Sequence, residues 1–349
     1  MTTAQQIMNA RPQHGVITFS RLTSSAFNLC LALCLAAMVV SPAQAGTITD
    51  QDGQRLTFDK PFSRIISLYP AHTENLFALG LDDQVIGVSK NDDYPQTAQA
   101  KPKFDYRDDP EKIIAAKPDL VLVRPMISRS APELATKLHL TGIQVVSLQP
   151  NTLDETFTYW RTLGILTGRE QAAMEMITRF TARLEAIKAV VAAIPPEKKK
   201  RVYFEAIHSK MKTFAPDSMA IFALTTAGGI NAAADAEQVR ATNIAFYGTE
   251  RLLAKARDID LFLAQEGRMN PITTQTIYDE PGFQAIKAVK ERQVFLIDET
   301  LVARPTLRMI DGIIEIGRIL YPETFNKAFP CPKSAGAEQS PVQNQQGLD

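Results

Sequence analysis

Short apolar runs alternate with amphipathic stretches along most of this chain. Residues 47–50 and 55–58 flank the turn pair Asp52-Gly53 and predict a small hairpin. The β-branched run 64–68 predicts a buried strand, followed by a loop carrying Tyr69 and His72 and a helix from Glu74 to the stop at Gly80. Strands follow at 85–88, 120–123 and 144–148, with a helix led by Glu111 and another over 132–140 set between them. From 169 to 194 neither proline nor glycine interrupts, and Met174, Ile177, Phe180, Leu184 and Ile187 recur at three- and four-residue steps. Such a helix would span about 39 Å at 1.5 Å per residue. Pro195-Pro196 ends it. The alternation then resumes: a strand at 201–205, a helix from Ser218, a helix led by Glu250 with its strand, a helix at 282–289, a strand at 293–297 and a helix at 307–320. Strands alternating with helices predict parallel sheets covered on both faces.

One segment occurs twice. Residues 109–123 and 248–263 each read as a short helix led by a glutamate, Glu111 or Glu250, then a tight turn, then a buried strand. The long helical stretch lies between the copies. The expected architecture is therefore α/β: two similar lobes with parallel sheets, 46–168 and 195–322, joined by one rigid helix at 169–194. Residues 323–349, rich in Ser, Gln, Gly and Ala beyond Pro330, are expected to be a disordered tail.

The first 45 residues change the picture of where the chain works. Arg11 and Arg21 precede an apolar run at 26–40 and an Ala43-x-Ala45 site, the pattern of a secretory signal peptide cut between Ala45 and Gly46. The run falls short of the ~20 apolar residues of a spanning helix. Cys30 and Cys34 each follow a leucine, so lipidation is not expected. Export to the periplasm leaves Cys331 alone, without a disulfide partner. The leader takes two arginines and no acid with it, leaving 36 basic against 38 acidic residues. Such a balance offers no general attraction to nucleic acid or anionic membrane.

The chain resembles a class III periplasmic solute-binding protein, the group serving ABC importers of vitamin B12, ferric siderophores and haem. The resemblance covers roughly 61–322. It rests on Arg64-Ile-Ile-Ser-Leu-Tyr-Pro-Ala-His-Thr-Glu74, Ala78-Leu-Gly-Leu81, Val85-Ile-Gly-Val-Ser89, Asp93-Tyr-Pro95, the stretch 111–121 and Gly228-Gly-Ile-Asn231. It implies cargo held in a cleft between the lobes, little hinge closure, and a glutamate on each lobe that docks onto arginines of the membrane permease. The matching positions are Glu111 and Glu250. A first-turn glutamate is also favoured by the helix dipole alone.

Ligands of open α/β sheets bind beyond the carboxyl ends of the strands. The loops there bring Tyr69, His72, Tyr106, Arg107, Arg124 and Arg129 from the first lobe, and His208, Lys210, Arg268, Arg304 and Arg308 from the second. So many cations in a chain of near-zero charge predict an anionic ligand, since guanidinium forks grip carboxylates and oxyanions bidentately. A ferric siderophore or haem is the first expectation. Cobalamin or a molybdate-type oxoanion is the alternative, and an exported chelatase-like enzyme a further one. The resemblance places tryptophan after the 120–123 strand in cobalamin binders, where this chain has Arg124. No catalytic constellation, resident cofactor or bare-metal site is expected; iron or cobalt would arrive within the cargo. Tyr69, His72 and His208 are the side chains that could ligate iron directly. The expected partners are a small metal chelate and the permease subunits, with the protein itself a monomer.

Overall fold

A computed structural model describes residues 46–239 and 242–330. The leader, its cleavage position at Ala45, and the chain from Cys331 onward lie outside the described residues, and Gly46 opens the first strand. No helix among the described residues is long and apolar enough to cross a membrane.

Five parallel strands form the first sheet, in the order Lys103–Phe104, Val85–Ser89, Ile65–Ser67, Leu120–Val123 and Gln144–Ser147. Its central strands are apolar on both faces because helices cover both. Ile65, Leu120 and Leu122 enter one core cluster, while Ile66, Val121 and Val123 enter another. The hairpin Gly46–Thr49 with Arg55–Phe58 stands apart as a two-stranded sheet.

The second sheet has seven strands. Arg201–Ile207, Leu261–Glu266 and Val294–Asp298 are parallel neighbours, and Ile230–Asn231 joins the start of the first of them. After the turn His208–Lys210, Lys212–Phe214 returns antiparallel and carries Ile244–Phe246 and Glu237–Gln238 beyond it. These antiparallel strands are an addition to the expected parallel layout. Runs of two or three residues are too short to show a readable period.

The repeated segment is a repeat in space as well. Asp119 accepts from the backbone N–H groups of Ser63 and Arg64, at 2.9 Å each, and so pins the start of the neighbouring central strand. Asp260 does the same for Arg201 at 2.9 Å. Each aspartate sits just before its own strand, so the motif fixes where two parallel strands begin.

Four expectations need correction. The helix after the first strand is Pro70–Ala78, with proline in its first turn, so His72 and Glu74 are helical residues. A helix Pro125–Ser130 follows the Leu120–Val123 strand directly. The expected helix at 282–289 divides into a 3-10 turn Phe283–Ala285 and Lys287–Lys290. Residues expected to begin the tail instead form the helix Pro322–Ala328, which buries Phe325 completely. A Cβ at Gly317 would collide with that ring, so glycine is what lets the helix Met309–Leu320 accept it.

The connecting helix is Glu170–Ala192, 23 residues long, or about 35 Å. It buries Ala173, Met176, Ile177, Phe180, Leu184, Ile187 and Val191. Met174, one residue off that stripe, is 45 % exposed, and Met176 takes the inward place. Phe180 packs edge-on against the buried Trp160, ring centroids 5.3 Å apart. One core cluster runs from Ile65 and Leu120 through Trp160, Phe180 and Leu184 to Val202 and Leu263. Turning one lobe against the other would open this close-packed interior, so the junction is stiff.

Candidate functional site

The carboxyl ends of the first lobe's strands place Tyr69, Tyr106 and Arg124 around a small pocket of about 60 Å³. The Arg124 guanidinium carbon lies 4.9 Å above the centre of the Tyr69 ring. Burial pushes the Tyr69 hydroxyl pKa up, against the pull of Arg124. Arg107 lies 4.9 Å over the Tyr106 ring on the exposed rim.

Arg124 and Met126 also line a larger cavity of about 420 Å³ that is shared by both lobes. Its first-lobe wall includes Gln51, Arg129, Gln149 and Asn151; its second-lobe wall includes Phe214, Asn243, Ile244, Gln265 and Met269. The size falls within the range of small-molecule sites. Of its described lining residues two are arginines and five are carboxamides, while none is a carboxylate, histidine or tyrosine. The field inside therefore favours negative charge. The carboxamides were not among the residues expected at the site: Gln265 lies in a buried strand, Gln51, Gln149, Asn151 and Asn243 lie on turns and loops, and a neutral amide alters no charge.

Arg304 and Arg308, expected to face cargo, are already occupied. Arg304 Nη1 donates to Glu74 Oε1 at 2.8 Å and to Asp93 Oδ1 at 2.7 Å. Arg308 donates to the two Glu74 oxygens at 2.9 and 3.0 Å and stacks 4.2 Å from the Tyr94 ring centre. Burial works against the charge on Arg304, but its hydrogen bonds to Asp93 and Glu74 outweigh that and raise its pKa. These contacts tie the second lobe to the first. Asn75 adds a bond to the Pro305 carbonyl at 3.0 Å, and Arg268 donates to Asn91 across the same gap.

His72 does not reach the cleft. It is fully buried, with Nε2 2.9 Å from the Val123 carbonyl and Nδ1 2.7 Å from the Tyr159 hydroxyl. A carbonyl only accepts, so Nε2 carries the proton and Nδ1 accepts from Tyr159. Neither nitrogen is free to ligate iron. Burial lowers the His72 pKa to about 4, keeping the ring neutral.

His208 is also held within its own lobe. Its Nδ1 lies 3.0 Å from Glu205 Oε1, and its Nε2 lies 3.4 Å from Glu280 without forming a hydrogen bond. The hydrogen bond to Glu205 raises the His208 pKa, and burial raises that of Glu205. Both shifts say that the pair holds its proton tightly. Lys210 is exposed on the turn after it. Among the described residues no group of three His, Cys, Asp or Glu side chains could hold a metal ion.

Glu111 and Glu250 are both exposed in the first turns of their helices, Pro110–Ala115 and Thr249–Ala254. The caps differ. Asp109 accepts from the Glu111 N–H at 3.1 Å, whereas Gly248 supplies the other start with φ +81°, a conformation that favours glycine.

Residues 65–301 match the family model described as periplasmic binding protein. The chain belongs to the periplasmic binding protein family. Within it, the chain is a class III solute-binding protein of the kind that serves ABC importers. Over 284 residues it is 28 % identical to the ABC transporter substrate-binding lipoprotein YvrC of Bacillus subtilis (strain 168), covering 80 % of this chain and 87 % of that one. It is 26 % identical over 261 residues to a vitamin B12-binding protein of Vibrio cholerae, covering 74 % and 89 %. Among solved structures it is similar to a possible iron-binding periplasmic solute-binding protein from Staphylococcus epidermidis ATCC 12228. That likeness has a TM-score of 0.64 at 28 % identity and covers 75 % of this chain and all of the other. These relatives are binding proteins. One of them is named a lipoprotein, so the expectation that lipidation is absent finds no support.

Proposed function

We propose that this periplasmic binding protein captures an anionic metal chelate between its lobes and hands it to the permease of an ABC importer. The observation that carries the reading is the interlobe cavity, where Arg124 and Arg129 stand without any lining carboxylate. A ferric siderophore suits that wall better than haem, because the described lining holds no histidine, tyrosine or cysteine for an open iron position and only the thioethers of Met126 and Met269. Cobalamin is the second reading. It is favoured by the five lining carboxamides and by the name of the Vibrio relative, and opposed by Arg124 at the place where the resemblance puts tryptophan.

Glu111 and Glu250 then serve the permease. Two exposed carboxylates on a stiff body can read the spacing of two basic pockets, which gives orientation and specificity more than raw affinity. Arg304 and Arg308 hold the lobes together, and Tyr69 positions Arg124. The experiment is transport into vesicles carrying the permease, using Glu111→Lys and Glu250→Lys. Transport should fall to background while calorimetric affinity for the chelate stays unchanged. Transport at the wild-type rate by the double variant would overturn the docking role.

A further inference from the structure

Gln265 is polar, yet it is buried near the end of a strand whose four preceding residues are apolar. It lies on Leu261–Glu266, has 0 % exposure, and forms part of the second-lobe wall of the interlobe cavity. Its Nε2 donates to the Ala206 carbonyl of the neighbouring strand at 2.8 Å. A carbonyl cannot donate, so this bond fixes which end of the amide is which. The Gln265 Oε1 is left without a hydrogen-bond partner among the described residues.

The surroundings hold that acceptor in place. Asn270 donates to the Gln265 backbone carbonyl at 2.8 Å and accepts from the His208 N–H at 2.9 Å, which fastens the loop after the strand. Met269 borders the same amide on its nitrogen side. Its sulfur lies 3.7 Å from Gln265 Nε2, its side chain is half exposed, and an unbranched thioether rearranges at little cost. A buried acceptor with no donor carries an uncompensated desolvation cost. A ligand that displaces Met269 and brings an N–H or O–H to Gln265 recovers that cost. A ligand that brings a second acceptor adds repulsion.

We propose that Gln265 is the specificity-determining acceptor of the cleft, selecting chelates that turn neutral N–H or O–H donors toward the second lobe. This rests on reading the interlobe cavity as the cargo site. The two walls then ask for opposite things. Arg124 and Arg129 take the anionic part of the cargo on the first-lobe side, and Gln265 takes an amide or hydroxyl on the other. The cargo is bipolar, and the described wall offers its metal no histidine, tyrosine, cysteine or carboxylate.

The test uses calorimetry and stopped-flow mixing on the full chain after leader removal. Donor-bearing probes are an amide-rimmed dicyano-corrinoid and a ferric trihydroxamate with backbone amides. Donor-free probes are the methyl-ester form of the same corrinoid and the dicyano complex of ferric haem. Wild-type protein should bind a donor-bearing probe about tenfold or more tightly than the donor-free ones, and Gln265→Leu should erase that preference. Met269→Ile, whose branched side chain is stiff, should slow association of the donor-bearing probe about tenfold and keeps the test open if Gln265→Leu does not fold. Equal binding of amide and ester corrinoids, or unchanged selectivity in the variants, overturns the role of Gln265 alone. If no probe binds, both this inference and the cargo reading of the cavity fail.

Discussion

Arg304 Nη1 lies 2.8 Å from Glu74 Oε1, and this contact joins the second lobe to the first across 230 residues of sequence. Glu74 is 5 % exposed and also receives Arg308, so one buried carboxylate serves two guanidinium groups. Removing one partner of a buried pair leaves charge stranded at low dielectric. Glu74→Ala should therefore cost about 3 kcal/mol or more in urea denaturation. Asp93, more exposed and facing solvent on one side, should cost under about 1 kcal/mol as Asp93→Asn. Equal losses for the two would show that Glu74 is not the centre of the cluster.

His72 sets an acid limit. Its folded pKa of about 4 lies below the usual 6.5, so the unfolded chain takes up a proton that the folded chain refuses. Its contribution is complete above pH 6.5 and is lost as pH falls from there toward 4, by a total on the order of 3 kcal/mol. Unfolding midpoints followed over that window should drop, and His72→Gln should flatten the slope. A slope unchanged in the variant would mean that other groups carry the acid response.

His208 acts on the other side of neutrality. Its pKa is raised by the hydrogen bond to Glu205, with Glu280 adding to the negative field. The stability it supplies is complete below pH 6.5 and is lost as pH rises through its folded value. Stability should decline above pH 6.5, and His208→Gln should remove that decline. Proton NMR titration of the His208 ring gives the independent check.

Phe325 tests the last helix. It is fully buried against Gly317, so Phe325→Ala should cost about 3–5 kcal/mol, as for a core aromatic. Gly317→Ala should also destabilise, because the added methyl has no room beside the ring. Wild-type stability in both would mean that Pro322–Ala328 is detached from the core.

What could be read from the residues alone was local. The repeat around Glu111 and Glu250 was visible because helix, turn and strand each leave a short-range pattern, and Asp119 and Asp260 fell in place with it. Arg124 and Arg129 were found as cations on loops beyond strand ends, and both line the interlobe cavity. Arg304 and Arg308 looked the same, yet their partners Glu74 and Asp93 lie more than 200 residues earlier, a pairing that no spacing rule reveals. His72 was read into a loop because its helix begins at Pro70 rather than at Glu74. Gln265 left no mark at all, since a neutral amide inside an apolar strand becomes informative only when its hydrogen bonds are known.

The most direct test of the cargo reading is a calorimetric titration of the leader-free protein with a ferric trihydroxamate, a ferric catecholate, haem, cobalamin and molybdate. Trp160 is buried in the core, so heat is a better signal than its fluorescence. The account predicts a dissociation constant below about 1 µM for at least one metal chelate, weakened about tenfold or more by Arg124→Ala and by Arg129→Ala and untouched by Glu111→Lys. Failure of every chelate to bind, or binding that ignores both arginines, would contradict it.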